Sequence, residues 1–240
     1  MMDTIKVEKK NVKMVAHRGL SGIEKENTNA AFVAAGNRSY FGVETDIRIA
    51  KDGNVVIMHD DGSGRVAKDN LIVSECTYDA LGSIILDDID GAQGRNDLRI
   101  PLFSDYLSIC KKYGKKCVVE LKPIFTEDEL KKIINIVNEF DYLDNVIFIA
   151  FGIENLITLR GLLPNQPAQW LVCEWKEEYL SKLKEYNLDL DIHYNAVTKE
   201  LVDMLHSNGI EINCWTCDIA EDADKLIECG VDYITSNILE

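Results

Sequence analysis

Strand-like and helix-like patterns alternate along this 240-residue chain, and the alternation constrains the fold more than any other feature. Nine short runs are rich in apolar and β-branched residues, as strands are. They are residues 11–17, a run that contains Glu44 and Asp46, and residues 55–59, 117–121, 145–151, 168–173, 188–193, 211–217 and 232–235. Helical patterns separate most of these runs, which is typical of parallel α/β folds.

The Asp52-Gly53 dipeptide lies between two of the runs and predicts a tight hairpin turn. A two-residue turn there would pair Asp46 with His59. Because a parallel neighbour needs a crossover of about a dozen residues, the run after the turn is expected to be an extra antiparallel arm. Eight strands remain, which predicts an α/β fold, an eight-stranded parallel β/α (TIM) barrel. The alternative is an open doubly wound sheet, but no Gly-x-Gly-x-x-Gly motif follows the first strand.

Residues 61–100 interrupt the alternation with glycines, polar clusters and short apolar pieces, and we interpret them as a small insertion after the His59-Asp60 hairpin. Residues 1–240 are otherwise expected to form a single catalytic barrel domain. Residue types that cap helices predict several helix starts. The predicted caps are Asn27 or Thr28, Ser104, the pair Thr126 and Glu129, and the pair Asp218 and Glu221.

The composition bounds the partners and the location. A formal charge of −15 would repel polyanions, so we expect no nucleic-acid partner. No apolar run reaches the roughly 18 residues of a membrane span, and the N-terminus lacks the apolar segment of a signal peptide, which favours a cytoplasmic protein without stable membrane insertion. The cysteines, including Cys214 and Cys217 at Cys-x-x-Cys spacing, lack a disulfide framework and are expected to be reduced core thiols. The oligomeric state is left open.

Charged side chains and histidines cluster at the predicted strand ends. They are His17, Arg18, Glu44, Asp46, His59, Glu120 and Lys122. Since the carboxyl ends of the strands form one face of a β/α barrel, these groups are expected to converge there. Glu44 and Asp46 lie two residues apart and project from the same side of a strand. With Glu120 they make three carboxylates, which favour a hard divalent cation, Ca²⁺ or Mg²⁺.

This set of groups suits displacement at phosphorus. Arg18 and Lys122 can neutralise phosphate oxygens, while His17 and His59 can transfer protons at opposite ends of the breaking bond. Glu26 either orients Arg18 or favours the N-terminus of the first helix.

The motifs resemble those of the glycerophosphodiester phosphodiesterases. They are His17-Arg18-Gly19, Glu26-Asn27-Thr28 with Ala31-Phe32, Glu44-x-Asp46, Asp52-Gly53 with Val55-Val56, His59-Asp60, Glu120-x-Lys122 and Trp215-Thr216. The resemblance implies a β/α barrel, one divalent cation, and hydrolysis of a small-molecule glycerophosphodiester to glycerol 3-phosphate and an alcohol. It also implies that the substrate's own 2-hydroxyl attacks phosphorus and that water then opens a cyclic phosphate.

The same resemblance assigns a role to each matching residue. His17 and His59 would be the acid/base pair, Glu44, Asp46 and Glu120 the metal ligands, Arg18 and Lys122 the phosphate-binding residues, and Trp215 a contact to the glycerol carbons. Which histidine first acts as the base is left open.

The chain departs from the family pattern at Lys25, Asp218 and Ser236, where proline, asparagine and aspartate are usual. These departures leave open which alcohol is accepted. Two alternatives remain at this point: a lysophospholipase D-like phosphodiesterase, and a catalytically silent barrel that binds phosphodiesters.

Overall fold

The structure is a computed structural model that describes residues 3–240. Nine strands lie within these residues. They are β1 (Lys13–Ala16), β2 (Gly42–Ile49), β3 (Val55–Ile57), β4 (Lys116–Leu121), β5 (Val146–Ala150), β6 (Ala168–Val172), β7 (Asp189–His193), β8 (Ile212–Trp215) and β9 (Tyr233–Ser236). Each of the predicted strand runs therefore contains a strand.

Eight α-helices also lie within the described range. They are α1 (Asn29–Gly36), α2 (Tyr78–Ser83), α3 (Phe103–Tyr113), α4 (Glu127–Glu139), α5 (Ile153–Leu162), α6 (Glu178–Glu185), α7 (Lys199–Ser207) and α8 (Ala220–Cys229). Seven of them, all except α2, connect successive barrel strands. Short 3₁₀ turns occupy Ser63–Arg65, Val73–Glu75, Leu143–Asn145 and Tyr194–Ala196.

Eight parallel strands close into a barrel. The hydrogen-bonded order is β1-β9-β8-β7-β6-β5-β4-β2, and β1 pairs in parallel with β2 to complete the ring. Strand β3 lies outside this ring as an antiparallel arm on β2. The predicted β/α (TIM) barrel with an extra hairpin strand is confirmed, and the carboxyl ends of the eight strands meet on one face.

The predicted register of the hairpin is wrong by one residue. Ile47 pairs with Ile57 and Ile49 with Val55, so Asp46 lies opposite Met58 and not His59. The loop has three residues, because the amide of Ala50 donates to the carbonyl of Asn54. Gly53 has a φ of 82°, the left-handed conformation that closes a three-residue hairpin loop.

Because successive side chains of a strand point to opposite faces, each barrel strand contributes apolar residues both to the layer beneath the helices and to the barrel interior. In β4, Cys117, Val119 and Leu121 belong to the large cluster between barrel and helices. Val118 points the other way, into the barrel, where it joins a smaller apolar cluster. Glu120 has the same parity as Val118, so its carboxylate points into the barrel, nearer the carboxyl end of the strand.

The helix caps are partly as predicted. Thr28 caps α1, and Thr126 and Glu129 form a reciprocal capping box at α4. The other two predicted caps are wrong. Helix α3 begins at Phe103, one residue before the predicted cap Ser104, and the Asp105 carboxylate accepts from the Leu102 amide. Helix α8 is preceded by Ile219, because the Asp218 carboxylate bonds to the end of β9.

Residues 61–100 form two 3₁₀ turns and helix α2. Their apolar side chains pack with Val56 and Met58 in a cluster of their own, separate from the main core. The segment therefore sits on the hairpin arm as an insertion. The assignment of residues 1–240 to a single catalytic domain stays a prediction.

Two further sequence expectations concern membranes and thiols. Within residues 3–240 no helix combines the length and apolar character needed to cross a membrane. Cys214 and Cys217 are both free and buried, which agrees with core thiols.

Asp189 lies at the amino end of β7, at the opposite end of the barrel from the strand ends that carry the charged cluster. Burial, together with the nearby charges of Glu211 and Asp232, raises the pKa of Asp189 to about 6. Because this folded-state pKa lies above the unfolded value, protonation stabilises the fold, and that contribution is lost as the pH rises through 6. We therefore expect Asp189→Asn to raise the free energy of unfolding at pH 8 by about 1–3 kcal/mol.

Denaturant unfolding of Asp189→Asn at pH 4, 6 and 8 measures this effect. The gain should shrink towards pH 4. Asp203→Asn, on the exposed surface of α7, is the control and should show no such trend. A gain that is independent of pH would contradict the assignment.

Candidate active site

Three buried carboxylates meet at the carboxyl ends of two neighbouring strands. Glu44 and Asp46 project into the barrel from β2, and the parallel register places Asp46 beside Glu120 of β4. One oxygen of each carboxylate lies within 4.8 Å of an oxygen of the other two. The structure thus brings together all three residues that the sequence predicts as metal ligands.

Burial and mutual repulsion perturb this triad of carboxylates. Burial and the charge of Asp46 raise the pKa of Glu44 well above its usual value, and they raise the pKa of Glu120 to about 7. Burial would also raise the pKa of Asp46, but the cations of Arg18 and Lys122 lower it. When no metal ion is bound, the carboxylate triad therefore keeps protons that free carboxylates would have lost at neutral pH.

The donor set fits a divalent cation. The Asp46 Oδ1 atom is buried and has no hydrogen-bond partner among residues 3–240, although Lys122 Nζ lies 3.7 Å away. A buried oxygen without a partner is costly, and a bound cation would satisfy it. Carboxylate oxygens are the ligands that Ca²⁺ and Mg²⁺ prefer.

Two cations border the carboxylate triad. Lys122 directly follows β4, and its Nζ lies 2.8 Å from a Glu120 oxygen. Arg18 lies at the turn after β1 with a φ of 52°, uncommon for a residue other than glycine. Its backbone amide donates to Glu44 Oε2 at 2.7 Å, and its Nη1 donates to Glu26 Oε1 at 2.9 Å. Glu26 therefore contacts Arg18 directly, the first of the two alternatives for this residue.

His17 is held on one side of the triad by the end of the last strand. Its Nδ1 lies 2.7 Å from the Oδ1 of Asn237. Since that amide oxygen can only accept, Nδ1 carries the proton and the Nε2 lone pair is free. Burial and the Arg18 charge lower the pKa of His17 to about 4, so the ring is neutral near pH 7 and its 4.0 Å approach to Glu44 is no ion pair there.

Asp218 and Ser236, two of the departures from the family pattern, contact each other next to Asn237, which holds His17. Asp218 accepts from the Asn237 side-chain amide at 2.5 Å, from the Asn237 backbone amide at 2.7 Å and from Ser236 Oγ at 2.9 Å. These bonds fix which atom of the Asn237 amide faces His17. Asp218 and Ser236 thus belong to the support of a histidine and not only to the rim.

His59 is held from the hairpin side. Its Nδ1 donates to Asp60 Oδ1 at 2.6 Å, and its carbonyl accepts from Arg48 Nη2 at 2.7 Å. The carboxylate acceptor again assigns the Nδ1 proton and leaves Nε2 free. Burial lowers the pKa of His59, while the charge of Asp46 and the hydrogen bond to Asp60 oppose that change.

A cavity of about 190 Å³ lies between the two histidines. Its walls combine the predicted groups with apolar side chains from the middle of the barrel. The lining residues are His17, Arg18, Glu44, His59, Glu120, Lys122, Ile149, Phe151, Leu171, Asp191, Trp215, Thr216 and Thr235. Asp46 lies just behind this wall, fully buried.

Some lining residues were not predicted from the sequence. The ring of Phe151 packs edge-on against Trp215 with the centroids 5.4 Å apart, so the apolar wall has two aromatic residues. Asp191 is fully buried, and its Oδ1 has no partner within the described range. The alternating pattern of β7 could have indicated Asp191, whereas Phe151 looked like an ordinary strand-end residue.

The other two histidines lie outside the cavity wall. The ring of His193 packs edge-on against Trp215 and its Nδ1 accepts from the Asn195 amide. His206 is exposed on α7 and bonds to Asp232 at 2.9 Å.

Comparisons with known proteins agree with this geometry. Residues 17–239 match the model of the glycerophosphoryl diester phosphodiesterase family. A glycerophosphodiester phosphodiesterase from Caldanaerobacter subterraneus is 26% identical over 93% of both chains. A solved glycerophosphodiester phosphodiesterase structure from Parabacteroides distasonis is 25% identical, with a TM-score of 0.79 over 95% of this chain and 93% of that one.

The fold is also shared with a phosphodiesterase from Oleispira antarctica, whose structure holds the product sn-glycerol-3-phosphate. That chain gives a TM-score of 0.88 at 23% identity, over 98% of this chain and 96% of its own. The resemblance that the motifs predicted is thereby confirmed. The chain belongs to the glycerophosphoryl diester phosphodiesterase family.

Proposed function

We propose that this protein hydrolyses glycerophosphodiesters to sn-glycerol 3-phosphate and an alcohol, using one divalent cation, Ca²⁺ or Mg²⁺. The observation that carries the proposal is that two histidines, Arg18 and Lys122 line one cavity together with Glu44 and Glu120, and that Asp46 completes the carboxylate triad behind its wall. The matched family and the named relatives support the same reaction class.

In this proposal Glu44, Asp46 and Glu120 hold the cation. When bound, the cation supplies positive charge that offsets the negative charge of the phosphate oxygens. Arg18 and Lys122 bind the same phosphate and orient its leaving group. Phe151 and Trp215 give the glycerol carbons an apolar contact.

The two histidines move the protons. His17 is neutral near pH 7, and its free Nε2 can accept the proton of the substrate's 2-hydroxyl as that oxygen attacks phosphorus. Burial lowers the pKa of both rings, but the Asp60 carboxylate opposes this at His59, so His59 is more easily protonated than His17 and is the better donor to the departing alcohol. In the second half, water attacks the cyclic phosphate and the two histidines exchange roles. In this proposal His17 is the first base.

A second candidate is hydrolysis of lysophospholipids. It is favoured by large apolar side chains that are exposed on the loops after β4, β5 and β8, around the barrel mouth. They are Ile124, 61% exposed, Phe151, 44%, and Ile219, 53%. These side chains could contact an acyl chain that extends from the cavity.

Substrate comparison separates the candidates. We expect turnover of glycerophosphocholine and glycerophosphoethanolamine with Ca²⁺ or Mg²⁺, and none with a chelator. A higher kcat/KM for lysophosphatidylcholine would favour the second candidate. Binding of sn-glycerol 3-phosphate without turnover of any diester would leave only a catalytically silent barrel.

A further inference from the structure

Arg65, from the insertion, hydrogen-bonds to two carboxylates at once, and each of these carboxylates also bonds to a proposed active-site residue. Its Nη1 and Nη2 donate to the two oxygens of Glu26, both at 2.8 Å. Its Nε donates to Asp60 Oδ2 at 2.6 Å. Glu26 in turn bonds to Arg18, and Asp60 bonds to His59.

Each carboxylate can hold its two contacts at once. Glu26 Oε1 accepts from both Arg18 and Arg65, which the two lone pairs of that oxygen allow, and Asp60 uses a different oxygen for each contact. Asp60 accepts from His59 through Oδ1 and from Arg65 through Oδ2. The charges of Arg65 and Arg18, and their hydrogen bonds, lower the pKa of Glu26 to about 2 although burial opposes this. Glu26 is therefore an ionised carboxylate near neutral pH, and its hydrogen bonds to Arg18 and Arg65 are both charge-assisted.

The backbone that carries Arg65 is firmly held. Ser63 is fully buried; its amide donates to the Leu71 carbonyl, and its Oγ accepts from the Leu71 amide at 2.9 Å. The Gly64 amide donates to Asn70 Oδ1 at 3.0 Å. A guanidinium on such a base can fix the orientation of the groups that it contacts, because its own backbone has little freedom.

We propose that Arg65 is a positioning residue, which couples the insertion to the active site by holding Arg18 through Glu26 and His59 through Asp60. The inference rests on the proposed function of this site. Arg65 itself does not line the cavity. Its removal would leave the Glu26 and Asp60 carboxylates free to turn, and with them the phosphate-binding guanidinium and the imidazole.

The chain offers a matched control. Arg95 also anchors the insertion to the loop after β1, since its Nη1 donates to Glu24 at 2.6 Å and its Nη2 to Asp97 at 2.7 Å. None of these partners bonds to a proposed active-site residue. Arg95→Ala therefore removes a comparable anchor without disturbing Arg18 or His59.

The test compares Arg65→Ala, Arg65→Lys and Arg95→Ala for kcat and KM on glycerophosphocholine and for Tm. We expect Arg65→Ala to lower kcat by about 10–100-fold, as residues that support a ligand or catalytic group do. Arg95→Ala should keep kcat within about threefold, the effect of an ordinary surface substitution. Arg65→Lys should recover part of the loss, because one ammonium cannot replace the planar fork at both carboxylates.

A second readout does not depend on turnover. The chain has four histidines, whose imidazoles can be followed by nitrogen-15 NMR. His59 should show the Nδ1-protonated tautomer. Arg65→Ala should shift the His59 signals and leave those of His193 and His206 in place. Unchanged His59 signals, or equal losses of kcat in Arg65→Ala and Arg95→Ala, would overturn the proposal. A wild-type protein that turns over no diester would instead refute the proposed function, while the NMR comparison would still decide the role of Arg65.

Discussion

Replacing His59 by glutamine is expected to lower kcat for glycerophosphocholine by about 10²–10⁴-fold, the usual contribution of a positioned acid or base. The physical reason is that His59 Nε2 faces the cavity while Nδ1 is fixed by Asp60. Glutamine has a similar size and can still form hydrogen bonds, but it cannot carry the proton that the departing alcohol needs. Tm should change little, since His59 is partly exposed.

The matched control for this experiment is His206→Gln. His206 is an exposed histidine of α7 that pairs with Asp232 and does not line the cavity. Steady-state kinetics of both variants should show a large loss only for His59→Gln. If His59→Gln retains more than about a tenth of wild-type kcat, His59 is not the acid or base of the reaction.

Replacing Glu44 by glutamine is expected to weaken Ca²⁺ and Mg²⁺ binding by at least about 100-fold, the upper range for residues that only support a metal ligand. Glu44 is one of three carboxylates that meet in a buried site. Because little water reaches a bound metal ion there, each negative charge contributes strongly to its affinity. The neutral amide can still accept the bond from the Arg18 amide, which keeps the loop in place. Turnover should fall with cation occupancy.

Titration calorimetry of the apoprotein with each cation measures the affinity directly. Glu211→Gln is a suitable control, because it changes the net charge equally at the opposite end of the barrel, where Glu211 pairs with Lys13. Its affinity should match the wild type. Equal affinities for Glu44→Gln and the wild type would refute the assignment of Glu44 as a ligand.

Much of this fold could be predicted because its signals are local. The alternation of apolar runs specifies a parallel barrel, and the period of two along a strand places Glu44 and Asp46 on one side. These two patterns, together with the convergence of strand ends on one face of a barrel, were enough to predict that Glu120 and Lys122 lie at the same site. The hairpin arm was also predictable, because a crossover needs more residues than the turn contains.

The parts that could not be predicted depend on contacts between distant residues or on fine backbone geometry. The bond between His17 and Asn237 joins residues 220 positions apart, and no local pattern indicates it. The register of the hairpin depends on whether Gly53 closes a two-residue or a three-residue loop, and both fit the same dipeptide. Asp218 resembled a helix cap in sequence, but the end of β9 takes its hydrogen bonds.

The central claim is that this cavity cleaves the bond between phosphorus and the alcohol of a glycerophosphodiester. Phosphorus-31 NMR of glycerophosphocholine, mixed with the protein and Ca²⁺ or Mg²⁺, identifies which bond breaks. The account predicts that the diester signal is replaced by that of sn-glycerol 3-phosphate, with choline released and with no change when a chelator is present. Phosphocholine as the phosphorus-containing product, or cleavage that continues unchanged in the chelator, would contradict it.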